Sequence, residues 1–169
     1  EEERLLDRAI EYLTKATGFD RIDAYASTGN DRATLSDSSG NDQYKAGDTF
    51  GYLTGTGYLN RANGFDRVEV TASGGNDTAS LTGSSGADTF NANPAFSSLS
   101  GSGYVHKVTG FDAVTADGAA GSDTANLSDS AGDDTFTGLG SSPDLAGTGY
   151  DLTALAFERA YRKRSRFSE

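Results

Sequence analysis

Six aspartates stand where carboxylates could hold a hard cation. Asp31, Asp42, Asp77, Asp88, Asp123 and Asp134 each close a short polar stretch that contains glycine: Gly29-Asn30-Asp31, Ser39-Gly40-Asn41-Asp42, Gly74-Gly75-Asn76-Asp77, Ser85-Gly86-Ala87-Asp88, Gly121-Ser122-Asp123 and Gly132-Asp133-Asp134. They fall in pairs 11 residues apart. Calcium takes several oxygen ligands, and carboxylates beside glycine-turn carbonyls are the donors it prefers. The same residues have a plainer use, because aspartate closes its own turn by accepting backbone N–H groups. Both uses stay open at this stage.

Other chemistry has little material. The chain has no cysteine and a single histidine, His106, so a zinc or other transition-metal site is not expected. The residue 46 positions before His106 is Asn60, and a solvent-facing side chain is expected there. Asp133 and Asp134 are adjacent, but neighbours in extended chain point apart, which does not suit paired-carboxylate catalysis. Gly55-Thr56-Gly57 lacks the Lys-Ser/Thr of a phosphate-binding loop. Catalysis also needs one asymmetric constellation, whereas the acids here are repeated. No enzyme is predicted. Net charge is −11, and residues 18–157 carry 18 acids against 6 bases, a body that repels nucleic acid. No apolar run reaches the roughly 20 residues of a membrane helix, so neither nucleic acid nor membrane is an expected partner.

The elements that must carry these aspartates repeat every 46 residues. Gly18-Phe19-Asp20 returns as Gly64-Phe65-Asp66 and Gly110-Phe111-Asp112, and Gly55-x-Gly57-Tyr58 returns at Gly101-x-Gly103-Tyr104 and Gly147-x-Gly149-Tyr150. Within a copy the apolar period is two, as in Val68-Glu69-Val70 and Ala79-Ser80-Leu81, the pattern of half-buried strands. Such copies bury their apolar side chains against their neighbours. The reading is an all-β parallel β-solenoid, a β-helix, right-handed by analogy. It has three 46-residue repeats (18–63, 64–109 and 110–155) of about four strands and two coils each. Phe19, Phe65, Phe111 and Phe157 would stack in one ladder, and Tyr44, Phe90 and Phe136 in another. A β-trefoil is the alternative.

The ends differ in composition. In residues 1–17, Leu5, Leu6, Ala9, Ile10 and Leu13 share one helical face, which predicts an α-helical cap over the first coil. Residues 151–169 read as a C-terminal cap and basic tail, either a short helix or a last strand. Ala156 replaces the glycine of the earlier copies, so its special backbone geometry is expected to be dispensable there. Two capped ends predict a monomer.

Segments such as Gly74-Gly75-Asn76-Asp77-Thr78 and Ser85-Gly86-Ala87-Asp88-Thr89-Phe90 resemble, at a distance, the repeats-in-toxin family. More broadly they resemble the acidic Gly/Asp/Ser/Thr-rich solenoid repeats of large bacterial secreted or surface proteins. The resemblance covers the turns of residues 29–137, where the interval is 11 rather than the family's nine. It implies calcium held between stacked turns and an extracellular parent protein. Three functions follow as expectations. One is a non-catalytic structural repeat or scaffold without cofactor, with its near-ideal N-terminal helix suggesting an engineered cap. The second is a calcium-stabilised segment of an adhesin-like surface protein. The third is a carbohydrate-binding module using the row Tyr58, Tyr104 and Tyr150.

Overall fold

Alternation of small apolar and polar residues produces strands throughout. The computed structural model describes residues 20–138 and 142–164, and the described residues contain sixteen strands and no helix. The first five are β1 (Arg21–Tyr25), β2 (Arg32–Ser36), β3 (Gln43–Gly47), β4 (Phe50–Gly55) and β5 (Tyr58–Asn63). The next five are β6 (Arg67–Thr71), β7 (Thr78–Thr82), β8 (Thr89–Asn93), β9 (Phe96–Gly101) and β10 (Tyr104–Thr109). Then follow β11 (Ala113–Asp117), β12 (Thr124–Ser128), β13 (Thr135–Thr137), β14 (Asp144–Gly147), β15 (Tyr150–Leu155) and β16 (Arg159–Lys163). In β7, for example, Ala79 and Leu81 are buried while Thr78, Ser80 and Thr82 face out. The expected helical cap of residues 1–17 and Phe19 lie outside the described residues.

The strands form two sheets that the chain visits in turn. One has the order β1-β5-β4-β3-β7-β11-β15-β14-β13, the other β16-β12-β8-β9-β10-β6-β2. Pairing between successive coils is parallel, as a β-solenoid requires, and this excludes the trefoil. The exceptions are three antiparallel meanders, β3-β4-β5, β8-β9-β10 and β13-β14-β15. Each meander jumps ahead, then steps back, so that its last strand meets the preceding coil.

This arrangement replaces the expected stacking. The strand lying on a given strand is 35 residues away, as in Arg32↔Arg67, or 38 across a meander, as in Ala113↔Asp151. It is never 46 away. Forty-six residues carry five strands and three crossings between sheets, not four strands and two coils. Three is odd, so residues 46 apart lie in opposite sheets. Tyr44 is in the first sheet, Phe90 in the second and Phe136 in the first. Neither aromatic ladder forms. The ring of Phe90 instead packs on Phe157, centroids 6.1 Å apart.

At the C-terminal end the last strand forms rather than the short helix, and the expectation for Ala156 changes. Leu152, Leu155, Arg159 and Ala160 follow a strand pattern in β15 and β16, because parallel partners in β11 and β12 were available to pair them. Ala156 keeps the geometry of the glycines it replaces: its φ is 55°, beside 73° at Gly64 and 80° at Gly110. The crossing between sheets demands that left-handed backbone whatever residue occupies it. The core lies between the sheets and consists of residues such as Leu35, Leu53, Val70, Leu81, Leu99, Leu127 and Leu145, all buried.

Candidate functional site

Each crossing ends in an acid, and acids from successive coils meet. The backbone N–H of Asp42 donates to Asp77 Oδ1 at 2.8 Å, and that of Asp77 donates to Asp112 Oδ2 at 2.8 Å. Along the other edge, Asp31 N–H donates to Asp66 Oδ2 at 2.8 Å, Asp88 N–H to Asp123 Oδ1 at 2.7 Å, and Asp123 N–H to Glu158 Oε2 at 2.5 Å. Every one of these bonds spans 35 residues. The geometry follows from the crossing: the residue just before the strand turns its amide along the solenoid axis, where the next coil supplies the acceptor. Hydrogen bonds from amides to carboxylates are charge-assisted and stronger than neutral ones.

Three carboxylates, those of Asp42, Asp88 and Asp134, are held within their own turns instead. Asp42 accepts from Ser38 N–H (3.1 Å), Ser38 Oγ–H (2.8 Å) and Tyr58 Oη–H (2.9 Å). Asp88 accepts likewise from Ser84 and from Tyr104 Oη–H at 2.8 Å, and Asp134 from Ser130 Oγ–H and Tyr150 Oη–H. The repeated glycines leave room for this. A Cβ on Gly55, Gly101 or Gly147 would overlap an oxygen of Asp42, Asp88 or Asp134, respectively. The tyrosine row of the sequence is thus committed to the turns, with Tyr104 and Tyr150 buried. Burial, reinforced by the adjacent carboxylate, pushes the hydroxyls of Tyr58, Tyr104 and Tyr150 up from the usual phenol value.

The structure therefore brings Asp42 against Asp77 and Asp88 against Asp123. It gives Asp31 the partner Asp66, and Asp134 the partners Ser130 and Tyr150. Asp37, Asp66, Asp112 and Glu158 complete the columns and were not foreseen. The signal for three of them was present: Asp66 and Asp112 end the Gly-Phe-Asp triplets and Glu158 occupies the matching place, and 46 less one 11-residue step is 35. Asp37 binds Ser73 through both N–H (2.8 Å) and Oγ–H (2.7 Å). Oxygens of Asp37, Asp42 and Asp77 all lie within 4.8 Å of one another, the one such triad among the described residues. Burial raises the pKa of Asp77, with the charges of Asp37, Asp42 and Asp112 adding to it. Asp123 is raised by burial too, with Glu158 and Asp88 nearby. These environments disfavour a bare carboxylate and would suit a cation or a proton.

His106 is buried, not exposed as its counterpart Asn60 suggested. It is 1% accessible, its Nδ1 lies 2.7 Å from Tyr44 Oη and its Nε2 2.9 Å from Gly47 O. The carbonyl can only accept, so Nε2 carries the proton, and Nδ1 accepts from the Tyr44 hydroxyl. Burial lowers the pKa of His106 to about 4 and raises that of Tyr44. Comparison of the chain with protein-family models, with curated proteins and with solved structures returns no match.

Proposed function

We propose that this chain is a non-catalytic structural repeat, a rigid acidic spacer of the kind built into large bacterial secreted or surface proteins. One observation carries the reading. The carboxylates of Asp66, Asp77, Asp112, Asp123 and Glu158 accept amides of the neighbouring coil, and those of Asp42, Asp88 and Asp134 accept serine and tyrosine groups of their own turns, so these acids serve the stack itself. A solenoid joined this way transmits length and stiffness from one end to the other.

The Asp37, Asp42 and Asp77 triad favours a second reading, calcium stabilisation of one crossing. Thermal unfolding followed by circular dichroism, in excess chelator and then in millimolar calcium, separates the two. A self-sufficient scaffold melts cooperatively at one temperature in both. Loss of the β signal in chelator, with recovery on calcium addition, would replace the first reading by the second.

A further inference from the structure

We propose that the outer face of the first sheet, over β1, β5, β4 and β3, binds an acidic glycan with one carboxylate on every second sugar. The face is defined by alternation. In β4 Gly51 and Leu53 point inward, so Phe50 and Tyr52 point out. The register then sets two adjacent rows. Tyr25, Asn63 and Phe50 lie side by side in one, and Asp23, Arg61, Tyr52 and Lys45 in the other, with Asp23 accepting from Arg21 Nε at 2.6 Å.

The aromatic part is flat. The rings of Phe50 and Tyr52 are 6.2 Å apart and inclined by only 14°. Tyr25 is 71% exposed, the most exposed large apolar side chain among the described residues. It stands two strands from Phe50, about 10 Å at ordinary strand spacing, a span comparable to a disaccharide. Pyranose rings present C–H faces that lie against such rings, while their hydroxyls need polar groups at the rim. Asn63 is one: its Nδ2 donates to Ala24 O at 3.1 Å, and its Oδ1 faces no donor among the described residues.

Charge selects an acidic sugar. The Arg61 guanidinium lies 5.4 Å from the centre of the Phe50 ring, and its buried Nε has no hydrogen-bond partner. Lys45 makes no ion pair among the described residues. The register puts these two cations on either side of Tyr52. They are two of only 6 bases, against 18 acids, in residues 18–157. Asp23, the acid of this face, is paired with Arg21, so Arg61 and Lys45 leave a local positive face on an acidic body, which suits sparse carboxylates. Nucleic acid, with a charge every ~1.7 Å of duplex, would be repelled by the remainder. The second sheet repeats one element of the design, Lys107 over the Phe96 ring at 4.9 Å, but has Ser98 and Thr71 where the first has Tyr52 and Tyr25.

The test is titration calorimetry of the full chain with a hyaluronan octasaccharide, with chitohexaose as the neutral probe and an oligo-dT as the nucleic-acid probe. Hyaluronan is expected to bind best. Tyr25→Ala and Tyr52→Ala should each weaken it about tenfold, roughly the contribution of one stacked ring, with unchanged melting curves. Lys45→Gln combined with Arg61→Gln should abolish the preference over chitohexaose. Tyr161→Ala, on the other sheet, should leave binding intact. Absence of hyaluronan binding, full affinity in both tyrosine variants, or tighter binding of oligo-dT would each overturn the proposal.

Discussion

Acidification should destabilise this protein through one side chain, His106. His106 is held neutral between Tyr44 Oη and Gly47 O, with the ring of Tyr104 at 5.8 Å and only Asp48 as a nearby charge favouring the proton. Its pKa is lowered to about 4 from 6.5. The unfolded chain takes up the proton at the ordinary value and the folded chain refuses it, so stability is complete above pH 6.5 and falls as pH drops toward 4. At 1.36 kcal/mol per pK unit the total is roughly 3 kcal/mol, of which about 2.5 is gone by pH 4.5. Urea midpoints should therefore fall by about 1 M between pH 7.5 and 4.5. The fold contains its own control. The positions 46 residues beyond Tyr44 and His106 are Phe90 and Leu152, an apolar pair in the corresponding place. Tyr44→Phe combined with His106→Leu should keep the neutral-pH stability within about 1 kcal/mol and remove the His-linked slope. Both variants release Gly47 O, but His106→Leu alone also leaves the buried Tyr44 hydroxyl without its acceptor and should cost about 1–3 kcal/mol. Because His106 is the single histidine, its imidazole proton resonances report the folded pKa directly. A folded value near 6.5, or the same slope in the double variant, would refute the reasoning.

Three other outcomes are expected. Ala156→Gly should raise stability by about 1 kcal/mol, seen as a melting temperature ~2–4 °C higher, because alanine at φ 55° is strained and glycine is not. Gly101→Ala should cost about 2–3 kcal/mol in urea unfolding, since its Cβ would overlap Asp88 Oδ1 and the ring of Tyr104. Asp77→Asn keeps an acceptor for Asp42 N–H while removing a buried charge, and should change stability by less than ~1 kcal/mol; Asp77→Ala leaves that amide unpaired and should cost about 1–3 kcal/mol. The raised pKa of Asp77 works opposite to that of His106: its contribution improves as pH falls through the folded value, and Asp77→Asn should remove that gain.

Much of the fold was legible because it is local. Alternation such as Ala79-Ser80-Leu81 sets which side chains are inward, and glycine with aspartate in pairs 11 residues apart marks where the chain must cross between sheets. The pairing of Tyr58, Tyr104 and Tyr150 with Asp42, Asp88 and Asp134 was half visible, since both sets share one repeat. What the sequence determined by itself was therefore the strand, its inner face and the position of each turn. Which strand lies on which was decided only in three dimensions. A meander that steps back over the preceding coil turns a 46-residue period into stacking at 35 and 38, and its odd number of crossings sends equivalent residues to opposite sheets. That is why Asp42 meets Asp77, and why His106 is buried against a tyrosine 62 residues away while the residue in its place one repeat earlier is Asn60. Periodicity is a property of neighbours along the chain, whereas burial and carboxylate pairing depend on neighbours across the stack.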